Sequence, residues 1–273
     1  MQIDGPDAPV GVLLRQWRER RRRTQLDLAL DAGVSARHLS FVETGRSKPG
    51  AEILLRLAEQ LDVPLRERNR LLLAAGHAPA FANRSLQDPA MEATASTLEL
   101  ILARHEPYPA MVIDRHWNLV AANQAVSVLA AMIDRSLLTP PVNVMRVGLH
   151  PDGLARWIVN IAPVRVYFTS RLRRQVEATA DPELIALLDE VSGYPRAEPE
   201  PGGSSEQDHD SRAGPIAIRG PDGRRYSFFG LFATFDAPFD VATSELALEL
   251  AYPADTGTAE ALRELAQTRS PRR

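Results

Sequence analysis

Residues 24–43 read TQLDLALDAGVSARHLSFVE, and two sets of side chains in and just beyond this stretch could do chemistry. The first is a set of polar and cationic groups: Gln25, Arg37 and His38, followed by Thr44, Arg46 and Lys48. Such groups bind phosphate oxygens, and a guanidinium fork also matches the O6 and N7 acceptors of guanine. The second set is a frame for the first. Ala29 is small enough to let two helices approach, and Gly33 can supply the positive φ of a tight turn. Ser35 can cap the next helix, and Leu39 and Val42, three apart, would pin one face of it to a core. A helical hairpin of any kind would favour glycine at its turn. The joint spacing of Ala, Gly, Leu and Val after Gln25 is more specific, and it predicts a helix-turn-helix with double-stranded DNA as partner.

In that geometry the N-terminal part of the second helix faces base edges. Arg37 is the expected sequence reader, beside Ser35 at the cap, while Ala36 and Phe41 can offer only apolar contact, for instance to a thymine methyl. His38 lies on the flank, where a phosphate or solvent role stands as the alternative to a base contact. Gln25 is expected on a phosphate, with Thr44, Arg46 and Lys48 tracking the backbone. The run Arg20–Arg23 could touch DNA or complement its own helix dipole. For every one of these charges a solvated surface role is the competing reading.

Composition narrows the classes. The 273 residues suggest two domains, and the absence of cysteine removes disulfides, thiolate metal sites and cysteine nucleophiles, as expected of a cytoplasmic protein. No apolar stretch is long enough to span a bilayer, and the N-terminus lacks a charged start followed by an apolar run, so neither export nor a membrane partner is expected. The formal net charge of −3 is unevenly divided: residues 1–80 carry 13 Arg+Lys against 10 Asp+Glu, and the remainder 19 against 25. The basic end is the end with the helix-turn-helix pattern, which suits a phosphate-facing head on an acidic body. Six scattered histidines form no metal-binding motif, and no nucleophile elbow, Walker loop or dinucleotide fingerprint occurs, so the chain is not expected to be an enzyme or to hold a metal or cofactor.

The elements that must position these groups can be read from periodicity. Five helices are expected in residues 1–76, at 10–22, 24–31, 35–43, 52–61 and 65–75, with a linker over 77–87. A second domain is expected over 88–255. It opens with a helix at 88–104 and a hairpin of apolar runs 110–113 and 119–122, with Asn123 opening a helix to about 133. Residues 153–178 and 182–192 are helical by period, with Pro163 kinking or restarting the first. Residues 197–213 read as a mobile loop, three strand-like runs come after it, and 256–273 read as a tail. Helices inserted between strands of one antiparallel sheet make this domain α+β, behind an all-α head.

At this level the chain resembles known families. Its first 63 residues, including ETGRSKPG after the second helix, are similar to the phage repressor and Cro-like helix-turn-helix family. Residues 107–255 resemble the ligand-binding domain of MmyB-like transcription regulators through PYPAMVIDRHWNLVAANQA, PPVNVMRVGLHPDGL and LELAYPAD, departing from it at Ala162 and Pro163. The resemblance implies a PAS-like sensor domain, a small apolar effector such as a fatty acid or lactone, transcription regulation, and a structural ion pair between Arg18 and Glu43. A homodimer is expected because one head of this size covers little DNA. A pocket between sheet and helices would be walled by residues such as Met111, Ile113, Trp117, Val120 and the Phe228–Phe235 run. Alternation puts Phe228 and Phe232 on one face, and Phe229 and Phe235 on the other. Asn123, Arg146, His150 and Arg165 are the candidate partners for a polar ligand group. Simple core packing, capping or a surface salt bridge is the alternative for each. A dimerisation or protein-binding role without ligand is the alternative for the whole domain.

Overall fold

A computed structural model describes residues 8–195, 214–235 and 240–269. The expected loop over 197–213 lies outside the described residues. The chain divides into two compact units, one comprising Met1–Ser85 with Gln175–Pro182 and Ala237–Ser244, the other comprising Leu86–Arg174, Glu183–Asp236 and Glu245–Arg273.

The first unit is built on five helices: α1 (Val10–Arg20), α2 (Gln25–Asp31), α3 (Ala36–Glu43), α4 (Ala51–Gln60) and α5 (Leu65–Ala74). Their starts are written locally. Thr24 caps α2 in a capping box with Asp27, and the Ser35 hydroxyl accepts from the His38 N–H to start α3. Gly33 holds φ of 65° in the turn between them, a conformation that costs glycine little. Leu13, Leu14, Trp17, Leu28, Leu39, Val42, Leu57 and Leu71 are almost wholly buried in one cluster, and each contributes about 1.5–3 kcal/mol by leaving water. Within the expected linker, Asn69 of α5 accepts the Ala80 and Phe81 N–H groups and donates to the Phe81 carbonyl.

The second unit is an antiparallel five-stranded sheet with helices on both faces. Its elements are α6 (Glu92–Arg104), β1 (Ala110–Ile113), β2 (Leu119–Ala122), α7 (Val126–Ala130), α8 (Val144–Leu149), α9 (Ile161–Thr179), whose residues from Gln175 on cluster with the first unit, α10 (Pro182–Ser192), β3 (Ile216–Arg219), β4 (Arg225–Thr234), a four-residue α11 (Val241–Ser244) that also clusters with the first unit, β5 (Ala247–Pro253) and α12 (Thr256–Arg269). The strand order is β2-β1-β5-β4-β3. Register gives the sheet two different faces. On one, Ala110, Val112, Leu248 and Ala233 pack with Leu98 and Leu102 of α6. On the other, which we call the inner face, Met111 of β1, Glu249 of β5 and Phe232 of β4 stand in one row, and Phe228 lies two side-chain repeats along.

Two local readings differ from the structure, those of Asn123 and of residues 256–269, while of the two alternatives at Pro163 the structure shows the restart. Asn123 does not open a helix: its side chain accepts the Ala110 N–H and donates to the Tyr108 and Leu102 carbonyls, and α7 starts later and is only five residues long. Pro163 restarts the helix, standing in the first turn of α9 where an N–H has no intrahelical acceptor. Residues 256–269 form a helix in place of the expected tail. Asp255 accepts the Thr258 N–H at its start, and Ala261 and Leu262 are buried.

Candidate nucleic-acid interface and effector pocket

In the first unit, burial of Leu39 and Val42 fixes the rotation of α3 and leaves Arg37 exposed. Phe41, half-buried beside it, carries two cations: the Arg37 guanidinium lies 5.3 Å from the ring centroid and that of Arg46 6.0 Å. The Phe41 carbonyl also accepts the Arg46 and Ser47 N–H groups, so the turn after α3 is folded back onto this residue. Phe41 thus gathers two guanidinium groups of the predicted interface instead of standing as an isolated apolar contact.

The base of α3 is held by a buried ion pair. Arg18 donates from Nε and Nη2 to the two carboxylate oxygens of Glu43 at 2.7 and 2.9 Å, and from Nη1 to the Arg23 carbonyl. Hydrogen bonding to Glu43 raises the Arg18 pKa against the opposing effect of burial. Gln25 donates to Glu43 Oε2 at 2.8 Å, so its amide is part of this network. Thr44 donates its hydroxyl to the Ser40 carbonyl. Ala36 and His38 are half-buried, with His38 Nε2 lacking a hydrogen-bond partner among the described residues, while Ser35, Thr44, Arg46 and Lys48 are exposed.

The second unit holds an apolar cavity of about 230 Å³. Leu129 and Met132 bound it after β2, Ile218 and Phe228 from the sheet, and Leu262 and Leu265 from α12. It exceeds the ~150 Å³ that accommodates a benzene in an engineered core. Its ionisable lining is Asp222 and Tyr226, and the Tyr226 hydroxyl donates to Asp222 Oδ2 at 2.9 Å. Burial first, then this carboxylate, push the Tyr226 phenol up to about 12, so it stays a neutral donor at any ordinary pH.

Comparison with protein families matches residues 95–265 to the MmyB-like transcription regulator ligand binding domain and residues 14–68 to a helix-turn-helix family. The chain belongs to the MmyB-like transcription regulators. Comparison with curated proteins gives no match. Among solved structures, an RNA-binding Light-Oxygen-Voltage receptor is similar over 96% of this chain and 62% of its own, at 13% identity and a TM-score of 0.28. This chain therefore spans less than two thirds of that receptor's length. No helix among the described residues is long and apolar enough to cross a membrane.

Within the MmyB-like domain the candidate ligand residues separate into three groups. Phe228 lines the cavity. Further along the inner face Met111 and Phe232 flank Glu249 in one row, and Trp117 and Phe232 have ring centroids 6.0 Å apart. Asn123, Arg146, His150 and Arg165 lie outside the cavity lining, each with protein partners. Arg146 makes a two-pronged contact with Glu190 at 2.8–2.9 Å, and that hydrogen bonding raises the arginine pKa and lowers the carboxyl. His150 accepts the Asp152 N–H and meets Tyr194 edge-on, and Arg165 donates to the Tyr194 and Pro195 carbonyls. Leu129, Met132, Tyr226, Leu262 and Leu265 are lining residues that sequence reasoning missed. For the last two a signal exists, the helical spacing of Ala259, Leu262 and Leu265 behind an Asp255 cap.

Proposed function

We propose that this chain is a sequence-specific DNA-binding regulator whose second domain senses a small, predominantly apolar molecule of the fatty-acid or lactone kind. The observation that carries the sensing half is the apolar cavity inside the domain matched to a ligand-binding family. A formed cavity lined by Leu, Met, Ile and Phe favours an apolar occupant, and Tyr226 with Asp222 offers it a polar group. On the DNA side, Arg37 reads bases, Phe41 orients it, and Ser35, Ala36 and His38 flank it. Gln25, Thr44, Arg46 and Lys48 contact the backbone, with Gln25 reaching phosphate from the Glu43 network. The protein works as a homodimer on paired half-sites, because one head alone covers too little DNA for specific affinity.

Effector can act only through unequal affinity for DNA-competent and DNA-incompetent arrangements. Selection of random duplexes with the full-length protein yields an enriched, two-fold-related sequence. Its affinity then shifts at least fivefold on adding one of a panel of medium-chain acids and lactones. Equal affinity across the panel, with no ligand detected by native mass spectrometry, would overturn the sensing half. A second reading, a protein-binding module without ligand, draws on the exposure of Phe229, Leu231 and Tyr252 on the other sheet face. A variant that fills the cavity, Met132→Phe, leaves regulation intact under that reading and abolishes the effector response under ours.

A further inference from the structure

The row Met111–Glu249–Phe232 on the inner face contains a carboxyl between two apolar side chains. Glu249 is surrounded by protein while keeping a minor part of its surface accessible. Above the row sits Arg171 of α9, its guanidinium carbon 3.3 Å from the Phe232 ring centroid and 5.2 Å from that of Trp117. Among the described residues, neither Arg171 nor Glu249 makes a hydrogen bond or an ion pair within 4 Å. An arginine whose charge is cushioned by two aromatic faces still has five N–H donors, and aromatic faces satisfy few of them.

Trp117 supplies an independent observation. It is 3% exposed and holds φ of 68°, a strained conformation for a bulky residue. The turn that holds it is over-determined. Asp114 accepts the His116 and Asn118 N–H groups, and the Trp117 carbonyl accepts the Val144 N–H; Asn143 donates to the His116 carbonyl. Strain maintained in this way concentrates where a side chain must be placed for function.

We propose that Arg171, stacked on Trp117 and Phe232, is the oxyanion-binding residue of this domain, taking the carboxylate of an otherwise apolar ligand in a two-pronged contact. The proposal rests on the ligand-sensing reading above and deepens it. A guanidinium whose donors meet no hydrogen-bond partner among the described residues matches a planar oxyanion, whereas a cationic ligand would meet an arginine already seated on the aromatic pair. Glu249 faces the same space and is charged or neutral according to its surroundings. Burial pushes its carboxyl above the ordinary glutamate range, with Arg171, the one charge acting on it among the described residues, drawing it back. In its neutral form it supplies one more donor and no repulsion. Phe228 and Phe232, four residues apart on β4, are about 13 Å apart along the strand. A ligand of that span has its carboxylate at Arg171 and its apolar body toward the cavity.

The test is titration of the full-length protein with decanoate and with its methyl ester, read by tryptophan fluorescence and calorimetry. Wild-type protein binds decanoate the more tightly. Arg171→Gln loses about tenfold or more for decanoate and leaves ester affinity within about threefold, a split that a merely structural arginine would not produce. Arg171→Lys recovers only part, because an ammonium lacks the planar fork. Glu249→Gln keeps decanoate affinity within about threefold. Unchanged decanoate binding in Arg171→Gln, or equal loss of acid and ester, overturns the proposal while the sensing reading stands. A tenfold loss in Glu249→Gln also overturns it, since an ionised Glu249 is then the binding group. Failure of both probes to bind wild-type protein overturns the proposal and counts against the apolar-effector reading with it.

Discussion

At the residue scale, the buried pair of Arg18 and Glu43 explains why α3 has a fixed base. Removing one partner leaves a charge in a nearly closed site, so Glu43→Ala or Arg18→Met is expected to cost about 3–5 kcal/mol. Joint replacement, Arg18→Met with Glu43→Leu, recovers much of that loss in urea denaturation, whereas additive losses would refute the pairing. Phe41 has a different consequence. Phe41→Ala removes the surface on which Arg37 and Arg46 lie, and binding to the selected duplex weakens without loss of stability. Arg37→Ala costs about 1–3 kcal/mol and relaxes discrimination at one base position, as reselection of random duplexes reports. Glu249 predicts a pH dependence whose sign is fixed. Its folded carboxyl lies above the unfolded value, so its contribution to stability is full below the unfolded pKa and lost as pH rises through the folded one. Glu249→Gln therefore gains on wild type as pH rises, and a pH-independent difference between their denaturation midpoints would show the carboxyl to be unperturbed.

At the element scale, the packing of α1 on α3 depends on one missing methyl. A Cβ built on Gly11 would stand 2.3 Å from the Val42 carbonyl oxygen and 2.8 Å from that of Glu43. Both are backbone atoms and cannot swing aside, so Gly11→Ala must push the two helices apart. A cost of about 1–3 kcal/mol is expected, with a parallel loss of DNA affinity. Thermal melts and binding titrations check both, and a variant as stable as wild type would mean that α1 shifts freely. The head helices were legible from sequence because each boundary is set by its own residues: Thr24 and Asp27, Ser35, Gly33. Elements of the second unit were less so. Asn123 has the composition of a cap, but pairing of β1 recruits its amide to the strand and the helix starts later. Residues 256–269 have modest periodicity, and only their docking on β4 makes Ala261 and Leu262 core.

At the scale of the whole molecule, the basic head and acidic remainder predict a marked salt dependence of DNA binding. Each phosphate contact lowers log affinity against log salt by about 0.9, so Lys48→Ala should reduce the slope by about one and weaken all sequences alike. Sedimentation of the full-length protein is expected to give a mass twice that of one 30.1 kDa chain, and two chains on one operator. One chain per duplex at saturating protein would contradict the paired half-site reading.

The sequence by itself determined the helix-turn-helix, the α+β class of the second domain and the alternation that separates Phe228 and Phe232 from Phe229 and Phe235, because all of these depend on neighbours within a few residues. Tertiary structure alone decided which candidates share a site. Arg146, His150 and Arg165 have the chemistry to hold a polar group, yet each meets protein partners from other segments. Arg171, in a helix of many arginines, and Glu249, within an apolar run, carry no local signal. Sheet order places Glu249 between β1 and β4, and α9 brings Arg171 over the aromatic pair. Pairings between strands and helices so distant in sequence are set by the packing of whole faces, which short-range spacing does not encode.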